Sequence, residues 1–411
     1  MLARGRLMAV VVAATLVVGA CSSSKPGGSA AGPSGGSGQG GTLTIGVLGD
    51  FTGPAASGNK TYINGIDAGL VLAKRQGWNI TVVQADTQTS PATALSAVQK
   101  LVTQNNVSVI LTQSAIAFAA APYLNQHKIP VIGVAEDAGE WQTDLNMFPV
   151  GGALHITAVT STFGLLLKQL GATNVGTLGY SISPSSADSA KGATLSAEAA
   201  GLKGGYLNAN FPFGSTNVAP VAIAMKNAGV DAFYASVDPN TGFSLISALR
   251  QQGVDLKAAV LPDGYGADTL QAGPGALQSA QNVYFTLGFE PVEMNKPETR
   301  QFQADLVASG TQGVPTYGEY NGYVSVGLLL KALAATGAHP SAASLTTALS
   351  NIHSWDALGL WGGRSIDIND RTGVLATGLC SWVTKLVGSN FELVPGATPI
   401  CGTVIKGASA G

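Results

Sequence analysis

Hydrophobic and polar positions along the chain follow two alternating periods. Segment 42–49 alternates apolar and polar residues, which predicts a strand, and segment 61–76 has apolar residues at helical spacing before Gly77, which predicts a helix. The same order continues with strands predicted at 80–85, 107–111 and 131–134, and helices at 91–105 and 115–126. This alternation indicates a parallel sheet covered by helices on both faces.

A second unit of similar size follows in the sequence. Its predicted helices are 155–170, 189–200, 217–228 and 242–252, and its predicted strands are 174–180, 232–236 and 258–261. Beyond these we predict a strand at 283–286, helices at 296–309, 317–336 and 341–350, and short β segments over 361–405. The fold class is therefore α/β, with two doubly wound parallel-sheet units.

The N-terminal pattern is typical of an export signal. Arg4 and Arg6 precede an apolar run at 7–20, which is shorter than the roughly 20 residues that span a bilayer. Val18-Gly19-Ala20-Cys21 resembles a bacterial lipobox, which implies that Cys21 becomes the lipid-modified first residue after a signal peptide at 1–20. The alternative is an uncleaved membrane anchor. Segment 21–41 is almost entirely Ser, Gly, Ala and Pro, which predicts a flexible tether.

Two catalytic or nucleotide-binding motifs match inside this tether. Residues 32–36 fit G-x-S-x-G, and residues 36–41 fit G-x-G-x-x-G. The first motif requires a strand before it and a helix after it, and the second must follow a strand and open a helix. The tether supplies neither context, so we assign no chemistry to these matches.

Composition and charge exclude two classes of protein. The 411 residues are 45% hydrophobic and 11% charged, with a formal net charge of -2. A nucleic-acid-binding chain needs a basic excess, and a disordered chain needs fewer apolar residues, so both classes are excluded. The low charge is partly explained by buried parallel strands and a Gly/Ser tether, since neither uses charged residues.

The cysteine and histidine positions favour a disulfide over a metal site. With Cys21 lipidated, Cys380 and Cys401 remain, and disulfides persist in exported proteins, so we predict a Cys380–Cys401 bridge. The alternative is two buried thiols. The four His residues are scattered and show no metal-ligand spacing, so no metal or cofactor is expected.

Candidate ligand-binding residues follow the predicted strands, because small molecules bind at the carboxyl ends of parallel strands. Several have structural alternatives. Ser114 is equally consistent with an N-cap and with ligand binding. Asp86 fits a turn better than a ligand contact, and Asp263 precedes Gly264 and fits either role. No nucleophile–base pair is visible, so we do not expect an enzyme, and the exported-hydrolase hypothesis is disfavoured.

The strand-end segments carry a family resemblance. Residues 44–54, read as Thr-Ile-Gly-Val-Leu-Gly-Asp-Phe-Thr-Gly-Pro, together with Gly65-Ile66-Asp67-Ala68, resemble the opening of type I periplasmic solute-binding proteins. The most similar members are the Leu/Ile/Val-binding proteins of ABC transporters. Further similarity lies at Ser114, Ala121-Pro122, residues 129–132, Pro262-Asp263-Gly264 and residues 320–323.

The resemblance implies two lobes joined by a three-segment hinge, with the ligand between them. Lobe 1 would be 41–151 plus 287–357, and lobe 2 would be 152–286 plus 358–405. It also implies that Ser114 and nearby helix N–H groups bind a ligand carboxylate, and that Asp263 meets the ligand ammonium group. The residues expected to contact the ligand are Phe51, Gln113, Ser114, Ala135, Glu136, Asp137, Ser183, Asp238 and Asp263.

The chain departs from the family pattern at three places. Asp137, preceded by Glu136, stands where family members often have Thr, an aromatic is missing near Asp238, and the loop at Ser57-Gly58 lacks the usual aromatic. The four acids Glu136, Asp137, Asp238 and Asp263 would make the site negative. We therefore expect a polar or cation-bearing ligand, either an amino acid or a related amide or amine, rather than plain leucine.

The resemblance implies a monomeric lipoprotein, anchored on the outer face of the cell membrane, that delivers a small amino-acid-like ligand to an ABC permease. The alternative is an extracytoplasmic sensor that uses the same cleft for signalling.

Overall fold

The computed structural model describes residues 40–152, 157–371 and 379–411. The predicted signal peptide, Cys21, all but the last two residues of the tether and His155 lie outside the described residues. None of the helices in the described part is both long enough and apolar enough to span a bilayer.

One sheet contains five parallel strands in the order β2-β1-β3-β4-β5. The strands are β1 (Thr42–Gly49), β2 (Asn79–Asp86), β3 (Val109–Gln113), β4 (Val131–Gly133) and β5 (Met147–Pro149). The connecting helices are α1 (Ala56–Asn59), α2 (Tyr62–Arg75), α3 (Pro91–Thr103), α4 (Ala121–Gln126) and α5 (Glu140–Thr143). Gly49 is in register with both Asp86 and Gln113, so the ends of β1, β2 and β3 lie side by side.

The second sheet is built mainly from the following segment of the chain. Its strands are β7 (Asn174–Tyr180), β8 (Lys203–Phe211), β9 (Ala232–Ser236), β10 (Ala258–Leu261), β11 (Tyr284–Leu287), β12 (Cys380–Val387) and β13 (Asn390–Leu393). Their order is β13-β12-β11-β10-β9-β7-β8. β12 pairs antiparallel with both of its neighbours, β11 and β13. The helices around it are α6 (Thr162–Gln169), α7 (Pro184–Ala199), α8 (Ala219–Asn227), α9 (Pro239–Gln251), α10 (Ala267–Gln271) and α11 (Pro274–Ala280).

Three short strands complete the second region. β6 (Ala158–Thr160) pairs antiparallel with β15 (Val404–Ser409), and β14 (Ile400–Cys401) pairs with β12.

Three later helices return to the first sheet. They are α12 (Pro297–Ser309), α13 (Tyr317–Leu333) and α14 (Ala342–Ser350), and α12 and α13 pack against α2. α13 is apolar around most of its circumference, and almost its whole length is buried. It approaches α2 so closely that a Cβ at Gly65 would overlap the Glu319 carbonyl, and a Cβ at Gly322 would overlap the Tyr62 carbonyl. Glycine is therefore required at both positions.

The predicted α/β fold class is confirmed, and most predicted elements are present. The predicted helix at 155–170 was wrong at its start, because 158–160 pairs as a strand with β15, and the helix begins only at Thr162. The predicted helix at 115–126 is split into a 3₁₀ turn at Ala117–Ala119 and α4, in which Pro122 sits in the first turn. The strands β5 and β8 and the short helices α1, α5, α10 and α11 were missed. β8 was missed because Gly204 and Gly205 interrupt its apolar pattern.

The predicted disulfide joins Cys380 and Cys401, whose strands β12 and β14 are directly paired. The bridge spans a sequence separation of 21 residues and ties the last part of the chain to the second sheet.

Removing the bridge should destabilise the fold. We expect Cys380→Ser with Cys401→Ser to lower the free energy of unfolding by roughly 3 kcal/mol, because a closed loop of this length restricts the unfolded chain. Urea unfolding measures the change, and Cys21→Ser is the matched control that leaves the bridge intact. An unchanged unfolding midpoint in the double variant would contradict the expectation.

Candidate functional site

A cavity of about 530 Å³ lies between the carboxyl ends of the two sheets. Its walls come from segments that directly follow strands of both sheets, which is where α/β proteins bind small molecules. From the first sheet these include the residues after β3 and β4, and from the second the residues after β7, β9 and β10. Representative lining residues are Ala115, Glu136, Ser183, Asp238, Asp263 and Asn321.

The wall on the side of the first sheet is organised by Asp50, which directly follows β1 and is fully buried. Its carboxylate accepts hydrogen bonds from Ser114 Oγ at 2.6 Å, Asn59 Nδ2 at 2.8 Å and the Ala115 amide at 2.8 Å. The Thr87 hydroxyl donates a fourth. A buried carboxylate is tolerated only when its acceptor sites are satisfied, and these four donors come from the loops after β2 and β3 and from α1.

Two of the predicted ligand contacts, Ser114 and Gln113, form hydrogen bonds within this network instead. Ser114 donates to Asp50 and accepts from the Ile116 amide at 3.2 Å, so its observed role is that of a turn residue. Gln113 is fully buried and donates from Nε2 to Asn59 Oδ1 at 2.9 Å. Neither residue is part of the cavity lining.

Phe51 and Asp137 also lie outside the lining. The ring of Phe51 packs over the backbone of Gly49, and its amide donates to Asp86 Oδ1 at 3.1 Å. Asp137 is fully buried. Its carboxylate accepts from Trp141 Nε1 at 2.9 Å and from the Phe118 amide at 2.6 Å, and these bonds offset the cost of burial. A ligand contact for these two residues, and for Ser114 and Gln113, stays a prediction that this arrangement does not support.

Five predicted residues do line the cavity. They are Ala135, Glu136, Ser183, Asp238 and Asp263.

Glu136 presents a carboxylate with free hydrogen-bonding capacity. Its Oε2 accepts from the Tyr317 hydroxyl at 3.3 Å, whereas the buried Oε1 has no partner. Burial raises the pKa of Glu136 well above its usual range, and the charges of Asp50, Asp137 and Asp263 raise it further.

Asp263 lies on the opposite side, after β10. Its Oδ1 accepts from the Gly264 amide at 2.7 Å, and its Oδ2 lies against Gly58 of α1, where any Cβ would overlap it. Burial raises the pKa of Asp263 to about 7, because the hydrogen bond from Gly264 only partly offsets the loss of solvation, and the charges of Asp238 and Asp268 add to the shift.

Asp238 is the N-cap of α9 and also bridges the two sides of the cavity. It accepts from the amides of Asn240 and Thr241, from the Tyr180 hydroxyl, and from Ser57 Oγ of α1 at 3.1 Å. A second bridge runs from the Ser185 amide to the Asp137 carbonyl at 3.2 Å. With the contact between Gly58 and Asp263, these bridges hold the two sheet edges together around the cavity.

The sequence analysis did not predict the cavity residues that come from later parts of the chain and do not directly follow a strand. Tyr317 and Asn321 lie on the buried helix α13, and Trp361 lies beyond α14. The capping box of Thr316 and Glu319 marks the helix start and could have drawn attention to Tyr317. Asn321 lies in segment 320–323, which carries part of the family resemblance. No local sequence signal indicates that its side chain lines the cavity, because it is one polar residue within an apolar helix.

The family model for periplasmic binding proteins matches residues 42–387. The chain belongs to the periplasmic binding protein family. The sequence-based resemblance to the type I members is therefore confirmed. No curated protein is similar enough in sequence to be matched.

Solved structures of other periplasmic binding proteins share the fold. A solute-binding protein of an ABC transporter from R. palustris, in complex with 4-hydroxybenzoate, has a TM-score of 0.70 at 20% identity, covering 90% of this chain and 96% of that chain. The branched-chain amino acid transporter substrate-binding protein LivJ from Streptococcus pneumoniae, in complex with isoleucine, has a TM-score of 0.67 at 20% identity, covering 89% and 99%. An ABC transporter protein from Thermus thermophilus with bound valine has a TM-score of 0.69 at 14% identity, covering 86% and 95%.

The raised pKa of Asp263 predicts a pH dependence of stability. Its folded-state pKa of about 7 exceeds the ordinary 3.8, so its contribution is fully present below pH ~4 and is lost as pH rises to about 7. We expect Asp263→Asn to be more stable than the parent chain at pH 8, by at most about 4 kcal/mol, and similar to it at pH 4.

Urea unfolding of this variant at pH 4, 6 and 8 measures the effect. Asp255→Asn is the matched control, because Asp255 is an exposed acid outside the cavity lining. Parallel pH profiles for the parent chain and Asp263→Asn would show that Asp263 does not titrate as described.

Proposed function

We propose that this periplasmic binding protein is an extracytoplasmic solute-binding lipoprotein that captures a small amino-acid-like ligand and delivers it to an ABC permease. The observation that carries the proposal is the cavity enclosed by the carboxyl edges of two parallel sheets and bridged across its mouth. The similar structures hold isoleucine, valine or 4-hydroxybenzoate, which supports a small organic molecule as the ligand here.

The proposed mechanism is capture by closure of two lobes, 41–151 plus 287–357 and 152–286 plus 358–405. The packing of α12 and α13 on α2, and the joining of β12 and β13 to the second sheet, support this division. Closing a hinge around a ligand excludes water, and the bridges from Ser57 to Asp238 and from Ser185 to Asp137 are available only when the lobes meet. The cavity residues Ala135, Glu136, Ser183, Asp238 and Asp263 are the proposed ligand contacts.

The serine on the cavity wall that was predicted to contact the ligand is not arranged as a nucleophile. Ser183 accepts from the Ser186 amide as the N-cap of α7, and its hydroxyl donates to the Asp137 carbonyl at 3.5 Å, so it is not bonded to a general base. We therefore propose a binding protein without enzymatic activity. We also propose that it is a monomer, as the family resemblance implies.

Ligand binding is the direct test of this function. A ligand that binds only the folded chain should stabilise it by RT ln(1 + [L]/Kd), which is about 2.7 kcal/mol at a hundredfold excess over Kd. A thermal-shift screen of amino acids, their amides, amines and aromatic acids should therefore yield at least one hit. A screen in which no small molecule raises the melting temperature would contradict the proposal.

Gly58→Ala should weaken binding of such a hit by about tenfold or more, because the added Cβ would overlap Asp263 and keep the lobes apart. Gly275→Ala is the matched control, since a Cβ there meets no atom within 4 Å. Equal affinity in both variants would show that closure does not depend on the contact at Gly58.

Membrane anchoring through Cys21 is tested separately. We expect the chain expressed in a bacterium with lipoprotein processing to fractionate with membranes, and Cys21→Ser to be released in soluble form, since two or more acyl chains give stable anchoring. Mass spectrometry of the mature N-terminus provides the readout, and Cys380→Ser is the matched cysteine control. An unmodified Cys21 in the mature protein would contradict the lipoprotein assignment.

A further inference from the structure

We propose that the ligand is an amine cation that carries a neutral oxygen acceptor and no carboxylate. This inference rests on the solute-binding function proposed above and specifies its ligand class. Three features of the cavity support it: the anion-binding donors are occupied, the ionisable groups on its described wall are acids, and the buried donor Trp361 Nε1 has no partner.

The donors best placed to hold an anion at the end of the first sheet are already occupied. Ser114 Oγ, the Ala115 amide, Asn59 Nδ2 and the Thr87 hydroxyl all donate to Asp50. They surround a carboxylate, as donors do in sites for bound acids, but this carboxylate belongs to the protein. A ligand carboxylate would have to displace a buried and fully bonded side chain.

The N-termini of the long helices at the cavity are also occupied. The Asp238 carboxylate caps α9. At α7, the Ser186 amide donates to Ser183, and the Ser185 amide donates to the Asp137 carbonyl. At α13, Thr316 and Glu319 form a reciprocal capping box. The first-turn amides of α7 and α9, and the Thr316 and Glu319 amides at α13, are therefore not free to bind an anion.

The remaining charge on the wall is negative. No Lys, Arg or His is present among the described residues that line the cavity, whereas Glu136, Asp188, Asp238 and Asp263 are. Asp188 is paired with Lys191 at 2.8 Å, and Asp238 is bonded as described above. Glu136 and Asp263 are left, each with one carboxyl oxygen that accepts no hydrogen bond among the described residues. A cationic group that donates to both would stabilise the ionised forms of these two acids, which burial disfavours in its absence.

Neutral donors on the wall call for an acceptor on the same ligand. Asn321 is 2% exposed and Trp361 is 1% exposed, and both line the cavity. Trp361 Nε1 has no hydrogen-bond partner among the described residues, whereas the Asn321 amide interacts with the Tyr317 hydroxyl. Buried donors are normally satisfied, so a hydroxyl or amide oxygen of the ligand is the fitting partner. Neither donor carries the positive charge that a carboxylate would need beside two acids.

Titration calorimetry with matched ligand sets tests this class on the full chain at pH 7.5. One set is leucinamide, leucine and 4-methylpentanoate, and the other is phenylalaninamide, phenylalanine and 3-phenylpropanoate. We expect at least one amide to bind about tenfold or more tightly than its parent amino acid, and the deaminated acids not to bind. Leucine or phenylalanine binding as tightly as its amide, or either deaminated acid binding, would overturn the ligand class while leaving the solute-binding function in place.

Failure of the proposed function has a different signature. If none of these six compounds, nor any member of the thermal-shift panel, binds, both the ligand class and the solute-binding function are rejected.

Two variants locate the amine. Asp263→Asn and Glu136→Gln should each weaken binding of the best amide by about tenfold or more, since each removes a charge-assisted hydrogen bond. Asp255→Asn is the matched control and should stay within about twofold, because Asp255 is exposed and lies outside the cavity lining. Circular dichroism checks that each variant is folded. If Asp263→Asn and Glu136→Gln both bind the amide as the parent chain does, the assignment of the amine to these acids is overturned.

Discussion

The buried carboxylate of Asp50 is the constraint on which the site depends. A buried carboxyl group needs its hydrogen-bonding positions filled, and here the donors come from the ends of neighbouring strands and from α1. The loops after β1, β2 and β3 are thereby fixed relative to one another. The same bonds remove the donors that a bound acid would use, so one side chain determines both the shape of this wall and its chemical preference.

The opposite wall is organised by a different principle. Asp238 satisfies the first turn of α9 and reaches Ser57, so a helix cap also joins the two sides of the cavity. Asp263 and Glu136 lack such complete bonding, and burial therefore raises the pKa of each. The cavity thus combines satisfied acids that hold the structure with unsatisfied acids that are available to a ligand.

The sequence was sufficient for the fold class and for the strand ends that surround the cavity, because parallel strands and their helices have clear periodicity. It was insufficient for β8, whose pattern is interrupted by glycines, and for 158–160, which becomes a strand only through pairing with β15. Glu136, Asp238 and Asp263 were placed at the cavity from their positions after strands. Ser114 and Asp137 were not distinguishable in this way, because a side chain that follows a strand can bond inward to the protein as well as outward. Asn321 could not be found, since its place depends on how α13 packs.

The contact between α2 and α13 has a mechanical consequence. At Gly65 and Gly322 the two backbones touch with no side chain between them, so the helices cannot slide or rotate against each other without a clash. The two helices are therefore expected to move together as one rigid unit. Only Lys60 and Thr61 separate α1 from α2, so a movement of this helix pair would carry the contacts of Ser57 and Gly58 at the cavity with it.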